Sequence, residues 1–185
     1  MEHSIVFCGL KHCGKSTHGK RLAEALGYPF IDTDDLMLRE ATGCACTTCR
    51  ELFRQVGETG FRQREAETLR QLAETPHHGR VVALGGGIAG NPFVNPAVLH
   101  RLGFLVYLDL APETAYERIL AGGLPPFLAT AADPRATFLE RHRQHDGFYR
   151  RHADCIIPLT DGESPEEAAV RVRHILTTEL KQATV

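Results

Sequence analysis

Residues 9–16 read Gly9-Leu10-Lys11-His12-Cys13-Gly14-Lys15-Ser16, the spacing G-x-x-x-x-G-K-S, and Thr17 follows. In such a loop backbone N–H groups converge on one point, glycine permits an approach that a Cβ would block, and a helix N-terminus adds positive potential. The lysine can reach the β- and γ-phosphates of a nucleotide, and the serine hydroxyl can ligate Mg²⁺. A nucleoside triphosphate site is therefore expected at Gly9, Lys11, His12, Cys13, Gly14, Lys15, Ser16 and Thr17. The bland alternative is a glycine turn in some other α/β protein. Asp32-Thr33-Asp34-Asp35 then supplies carboxylates. One can hold a magnesium shell, and another can accept a hydroxyl proton or orient the attacking oxygen. The same run also suits a helix N-cap with an acidic first turn. Asp35 fits that use, whereas Asp32 and Asp34 alternate as residues of a strand end and are read as functional.

Further along, Phe61-Arg62-Gln63-Arg64-Glu65 offers guanidinium groups that can clamp a carboxylate or phosphate through two parallel hydrogen bonds. Solvated arginines on a helix are the alternative. Gly85-Gly86-Gly87 lets the backbone approach a ligand and offer N–H donors, or else forms a plain flexible turn. Cys44, Cys46 and Cys49 fall within six residues. Uncommitted thiols on a surface loop are expected there; zinc or another thiophilic metal, or a disulfide, is the alternative. Cys8, Cys13 and Cys155 read as strand filler and loop residues.

Around these residues, short apolar runs alternate with helix-like segments. Strands are expected at 4–8, 28–31, 80–84, 104–108 and 155–158, and this alternation implies a parallel sheet covered by helices on both faces. Ligand residues should then gather at the carboxyl ends of the strands, where the phosphate loop already stands. Helices are expected over about 15–26, 51–75 (broken by Gly57 and Gly60), up to Ala121, and up to His152, the last studded with Arg135, Arg141, Arg143, Arg150 and Arg151. Residues 122–135, rich in Gly, Pro and Ala without hydrophobic periodicity, read as a mobile lid. Ser164-Pro165-Glu166-Glu167 reads as the start of a final helix.

The 185 residues, 43% hydrophobic and 24% charged, suit a single domain with a full core. A net charge of −2 gives no electrostatic case for nucleic acid or an anionic membrane. Met1-Glu2-His3 leads straight into a strand, and no apolar stretch approaches the roughly 20 residues of a membrane span. A cytoplasmic protein with reduced thiols is expected, acting as a monomer on a small molecule.

The phosphate loop, Asp32-Thr33-Asp34, Phe61-Arg62-x-x-Glu65, Gly85-Gly86-Gly87, and Tyr149 followed by Ala153-Asp154 occur in one order along the chain. Over nearly its whole length the sequence resembles the shikimate kinase family. The resemblance implies an α/β P-loop kinase, a three-layer sandwich with a five-stranded parallel sheet in the order 2-3-1-4-5 and a lid. It implies ATP and Mg²⁺, and transfer of the γ-phosphoryl group to the 3-hydroxyl of shikimate in aromatic amino acid biosynthesis. Alternatives are a kinase for another small polyol acid such as gluconate, or a relative that binds ATP or shikimate without turnover. Carried over by position, Lys15 acts on the phosphates, Ser16 on the metal and Asp32 in its outer shell. Asp34 contacts the shikimate hydroxyls and serves as base or orienter, Arg62 binds the carboxylate with backbone donors around Gly86, and Arg118 packs against adenine. Two positions depart from the family. Pro125-Pro126-Phe127-Leu128 stands where its lid has Arg-Pro-Leu-Leu, and His145 stands where it has a second carboxylate-binding arginine. Arg141, one helical turn before His145, can reach the same point.

Overall fold

The computed structural model of the chain describes residues 4–41, 43, 45–77, 79–160 and 165–182. Five strands, β1 (Ile5–Cys8), β2 (Phe30–Asp32), β3 (Val81–Ala83), β4 (Phe104–Asp109) and β5 (Cys155–Pro158), form one sheet in the order β2-β3-β1-β4-β5. All four pairings are parallel. This is the expected order, and the reason is visible in β1. Its four residues are all buried, as a central strand covered on both faces requires. Ile5 and Phe7 point into one core, with Leu22 and Ala23 of α1 (Lys15–Leu26) and Val172 and Leu176 of α8 (Pro165–Gln182). Val6 and Cys8 point into the other, with Leu69 and Leu72 of α3 (Cys49–Glu74) and Leu99 and Leu102 of α4 (Pro96–Leu102). Each such fully buried aliphatic side chain contributes about 1.5–3 kcal/mol.

The remaining helices are α2 (Thr33–Glu40), α5 (Pro112–Ala121), α6 (Pro126–Ala129) and α7 (Pro134–His152). Several boundaries differ from the sequence expectation for local reasons. The second strand runs to Asp32, because Asp32 caps α2 by accepting the Asp34 N–H at 3.0 Å. The helix α3 kinks at Gly57 alone, where φ is 72° and ψ 175°, and Gly60 stays helical. Its start is fixed by a reciprocal cap: Thr48 accepts from Glu51 N while the Glu51 carboxylate accepts from Thr48 N. Cys49 therefore opens a helix and does not lie in a loop. The short α4, absent from the sequence reading, begins with Pro96 after the capping Asn95. Within 122–135 the chain forms the single turn α6, whose Leu128 is fully buried. Cys44 and the proposed cap Ser164 lie outside the described residues. Among the described residues, no helix is long and apolar enough to cross a membrane.

Candidate active site

The loop leaving β1 enters α1 through Gly14, the helix N-cap, at φ 91°, and His12 before it also takes left-handed backbone at φ 65°. That conformation is uncommon outside glycine, and the two positions together curl the loop into a cradle. Buried Lys15 donates from Nζ to the carbonyls of Gly9 (3.0 Å) and Leu10 (2.7 Å). Ser16 Oγ donates to Asp32 Oδ2 at 2.6 Å, so one oxygen of Asp32 meets the loop while the other caps α2. Capping and chemistry do not compete at this residue. Asp34 sits one step further on, in the first turn of α2, and the strand-end alternation expected for the pair is thereby corrected.

Lys11, His12, Gly14, Lys15, Ser16 and Thr17 line a cavity of about 490 Å³ together with Asp32, Asp34 and Arg118. Arg118 donates from Nη1 to the His12 carbonyl at 3.2 Å, which ties α5 to the loop. Burial, then the charges of Lys11, Lys15 and Arg118, lowers the His12 pKa, so its imidazole is neutral. Two of the expected loop residues do not line this cavity. A Cβ on Gly9 would stand 2.8 Å from the Leu108 carbonyl oxygen, so Gly9 lets the loop lie against the end of β4. Cys13 is buried, and its N–H is spent on the Leu10 carbonyl at 3.3 Å. Both shape the cradle from behind.

A second cavity, of about 260 Å³, lies between α3, α7 and the glycine run. Leu10, Phe53, Phe61, Ile119, Pro125 and Phe138 make its apolar walls, and Arg62, Arg141, His142 and His145 bring nitrogen. Arg62 Nη1 donates to Glu65 Oε2 at 2.9 Å and to the Gly87 carbonyl at 3.2 Å. The exposed Glu58 carboxylate comes within 3.9 Å of Arg62 Nε. The glycine run is short of space. A Cβ on Gly85 would stand 2.5 Å from Asp34 Oδ1, and one on Gly87 would collide with Arg62 Nη1. Gly86 and Gly87 line the second cavity; Gly85 lies behind them, its N–H donating to Thr33 Oγ1 at 2.9 Å. The two cavities meet at Lys11, Asp34 and Gly86, which line both. Burial above all, and then Asp32, raises the Asp34 pKa, while Lys15 and Lys11 pull it back. Burial also raises Glu65 against the pull of Arg62. His145 is pushed down to about 4 by burial and by the charges of Arg141 and Arg62, which leaves it neutral.

A family model described as shikimate kinase matches residues 11–177. The chain belongs to the shikimate kinase family. It is 39% identical over 159 residues to the shikimate kinase of Dechloromonas aromatica, covering 85% of this chain and 82% of that protein. The shikimate kinase of Symbiobacterium thermophilum is 41% identical over 171 residues, 91% of this chain and 93% of its own. Among solved structures, the shikimate kinase of Acinetobacter baumannii in complex with shikimate superposes with a TM-score of 0.78 at 30% identity, covering 96% and 95% of the two chains.

Within this family frame, the residues that sequence reasoning singled out fall into two groups: Lys15, Ser16, Asp32 and Arg118 gather at the first cavity, Arg62, Arg141 and His145 at the second, and Asp34 at both. The cysteine cluster divides. Cys46 is disulfide-bonded, contrary to the expected free thiol, whereas Cys49 is a free thiol lining the second cavity. Burial and the surrounding carboxylates push the Cys49 thiol up to about 12, so it is unreactive at neutral pH. Among the described residues no group of three or more His, Cys, Asp or Glu is arranged to hold a metal ion. Sequence reasoning missed His142, whose Nε2 lies 3.5 Å from the Leu110 carbonyl oxygen, and the walls Leu10, Ile119 and Phe138. It also missed Asn91, whose Nδ2 donates to Glu65 Oε2 at 3.1 Å. No local motif announces any of them.

Proposed function

We propose that the chain transfers the γ-phosphoryl group of ATP to the 3-hydroxyl of shikimate at the junction of its two cavities, as an ATP-dependent small-molecule kinase of the shikimate pathway. The observation that carries this is the shared wall of Lys11, Asp34 and Gly86. A triphosphate held by the loop and a polyol held beside Arg62 would face each other across it. Phosphoryl transfer asks little covalent chemistry of a protein; alignment and charge stabilisation supply most of the rate.

Each residue then has a physical role. The Lys15 ammonium and the loop N–H groups hold the β- and γ-phosphates, with Lys11 beside them at the junction. Arg118, exposed on α5 and tied to the loop, packs against adenine. Ser16 Oγ and Asp32 Oδ2, 2.6 Å apart, are hard oxygen donors, and that donor set fits Mg²⁺, which keeps several waters and takes few protein ligands. Mg²⁺ bound there would supply positive charge to neutralise the phosphates. Asp34 accepts the hydroxyl proton or orients the oxygen, and the burial that raises its pKa makes it a stronger base than a solvated aspartate. The Nε–Nη2 edge of Arg62, its Nη1 being committed to Glu65 and Gly87, presents parallel N–H groups to the shikimate carboxylate. Arg141 supplies a second cation, and neutral His145 a hydrogen bond. Gly86 and Gly87 leave their backbone open to the same ligand. Residues 122–135, with Pro125 on the cavity wall, act as the lid of a single domain. A coupled assay with ATP, Mg²⁺ and a panel of shikimate, quinate and gluconate tests the assignment: turnover should be confined to shikimate, and gluconate turnover alone would overturn it.

A further inference from the structure

The strand β3 runs into Gly85-Gly86-Gly87 and a 3₁₀ turn, Ile88–Gly90, which ends at Asn91. Asn91 is 6% exposed, and both ends of its amide are in use. Its Oδ1 accepts the Phe93 N–H at 2.9 Å, which closes the turn on itself. Its Nδ2 faces the other way and donates twice, to the Arg62 carbonyl at 2.8 Å and to Glu65 Oε2 at 3.1 Å. The same Glu65 oxygen accepts Arg62 Nη1, which also bonds the Gly87 carbonyl at the head of the turn. Turn, helix backbone, carboxylate and guanidinium thus close a ring. An arginine has many rotamers; one pinned at its backbone and at Nη1 presents its remaining edge in one orientation.

We propose that Asn91 is a positioning residue for the acid substrate, holding the Arg62 guanidinium toward the second cavity through Glu65 and the Arg62 backbone. This rests on the assignment of Arg62 to the substrate carboxylate. The two ends of the amide separate its two duties. Oδ1 keeps the turn folded, and Nδ2 sets the arginine.

Asn91→Asp distinguishes these duties. It keeps an acceptor for the Phe93 N–H, removes both donors and places a second carboxylate against Glu65. Two carboxylates at that distance share a proton as pH falls, and the shared proton restores a donor to Glu65. The charged and titratable groups facing Glu65 include Arg62 on α3, Asp34 on α2, Arg141 on α7 and Cys49 at the start of α3. Lys11, Arg50, Glu58, His142 and His145 line the same cavity and are present in the wild type too. The arginines stay cationic and the thiol protonated over the working range. Asp34 is present in the wild type as well, so the wild-type profile is its control.

The experiment is steady-state kinetics from about pH 5.5 to 8 on wild type, Asn91→Ala, Asn91→Asp and Arg62→Ala, with a thermal melt of each. Asn91→Ala should raise the shikimate KM on the order of 10-fold at every pH, with the ATP KM unchanged and kcat moved less than KM. Asn91→Asp should show the same defect at the alkaline end and recover toward wild type at the acid end. A folded Asn91→Ala whose shikimate KM stays within about twofold of wild type, or whose ATP KM rises in parallel, would overturn the proposal. If Asn91→Ala does not fold, Asn91→Asp decides alone: a pH-independent defect, or none, rejects it. Should Arg62→Ala leave the shikimate KM unchanged, the assignment of Arg62 itself fails. Should Arg62→Ala raise it while the Asn91 variants do not, only the role of Asn91 fails.

Discussion

On the proposed assignment, in which Arg141 and not His145 is the cation beside Arg62, shikimate binding should be nearly independent of pH. By the resemblance read from the sequence His145 stands where the family has a second arginine, yet its pKa is pushed down to about 4 by burial and two guanidinium groups. At pH 7 it is therefore protonated only about one part in 10³, and charging it costs about 3 × 1.36, or roughly 4 kcal/mol. A substrate carboxylate would have to return that sum before gaining anything from the new charge. Burial lowers the Arg141 pKa too, but an arginine remains charged at any working pH. A hydrogen bond to a charged group is worth about 1.5–3 kcal/mol, so Arg141→Ala should raise the shikimate KM about 10- to 150-fold. His145→Gln, which trades one neutral hydrogen-bonding side chain for another, should stay within about threefold. The assay is the shikimate KM of wild type and both variants between about pH 6 and 8, where the wild-type value should be flat. A wild-type KM that climbs steeply above neutrality, and becomes flat in His145→Gln, would refute the reasoning.

Other outcomes follow from the same geometry. The folded-state pKa of His145 lies below its ordinary 6.5, so the unfolded chain binds the extra proton, and stability should fall as pH drops from about 6.5 to about 4. His145→Leu should remove about 3 kcal/mol of that loss, read as the difference between urea midpoints at pH 7 and pH 4, and an unchanged acid slope would contradict it. Asp34→Asn should cut kcat about 10²- to 10⁴-fold while leaving ATP affinity and the melting temperature intact, and near-normal turnover would remove Asp34 from the mechanism. Gly85→Ala sets a Cβ 2.5 Å from Asp34 Oδ1 and should lower kcat on the order of tenfold or more with little change in ATP affinity; an unaffected kcat would mean that the Asp34 position is not critical.

What was legible in the sequence was what repeats locally. The buried run Ile5–Cys8, the glycine-lysine loop and the acidic strand end each announce themselves within about ten residues, and the sheet follows from their alternation. Boundaries were less legible where a side chain decides them. Asp32 ends β2 because its own carboxylate caps the next helix. The sequence offered a cap in this run, but that Asp32 is the capping residue and still meets Ser16 shows only once Ser16 and Asp34 are placed around it. The support of the site was hidden for a different reason. Asn91 meets Glu65 across 26 residues, and Gly85 meets Thr33 across 52, through folding and not through spacing. Leu10, Ile119 and Phe138 carry no local signal of a site, and only their convergence makes them a wall. His145 was legible as a departure, but its neutrality comes first from its burial and then from Arg141 and Arg62, brought beside it by two helices.

The most direct test of the central claim is ³¹P NMR of the products formed from ATP, Mg²⁺ and shikimate by wild type and by Asp34→Asn. Wild type should yield ADP and one phosphomonoester, at the 3-hydroxyl of shikimate, and Asp34→Asn should form it at least about 10²-fold more slowly while still binding ATP. Wild type that binds ATP yet forms no shikimate phosphate, or phosphorylates a different hydroxyl, would contradict the account.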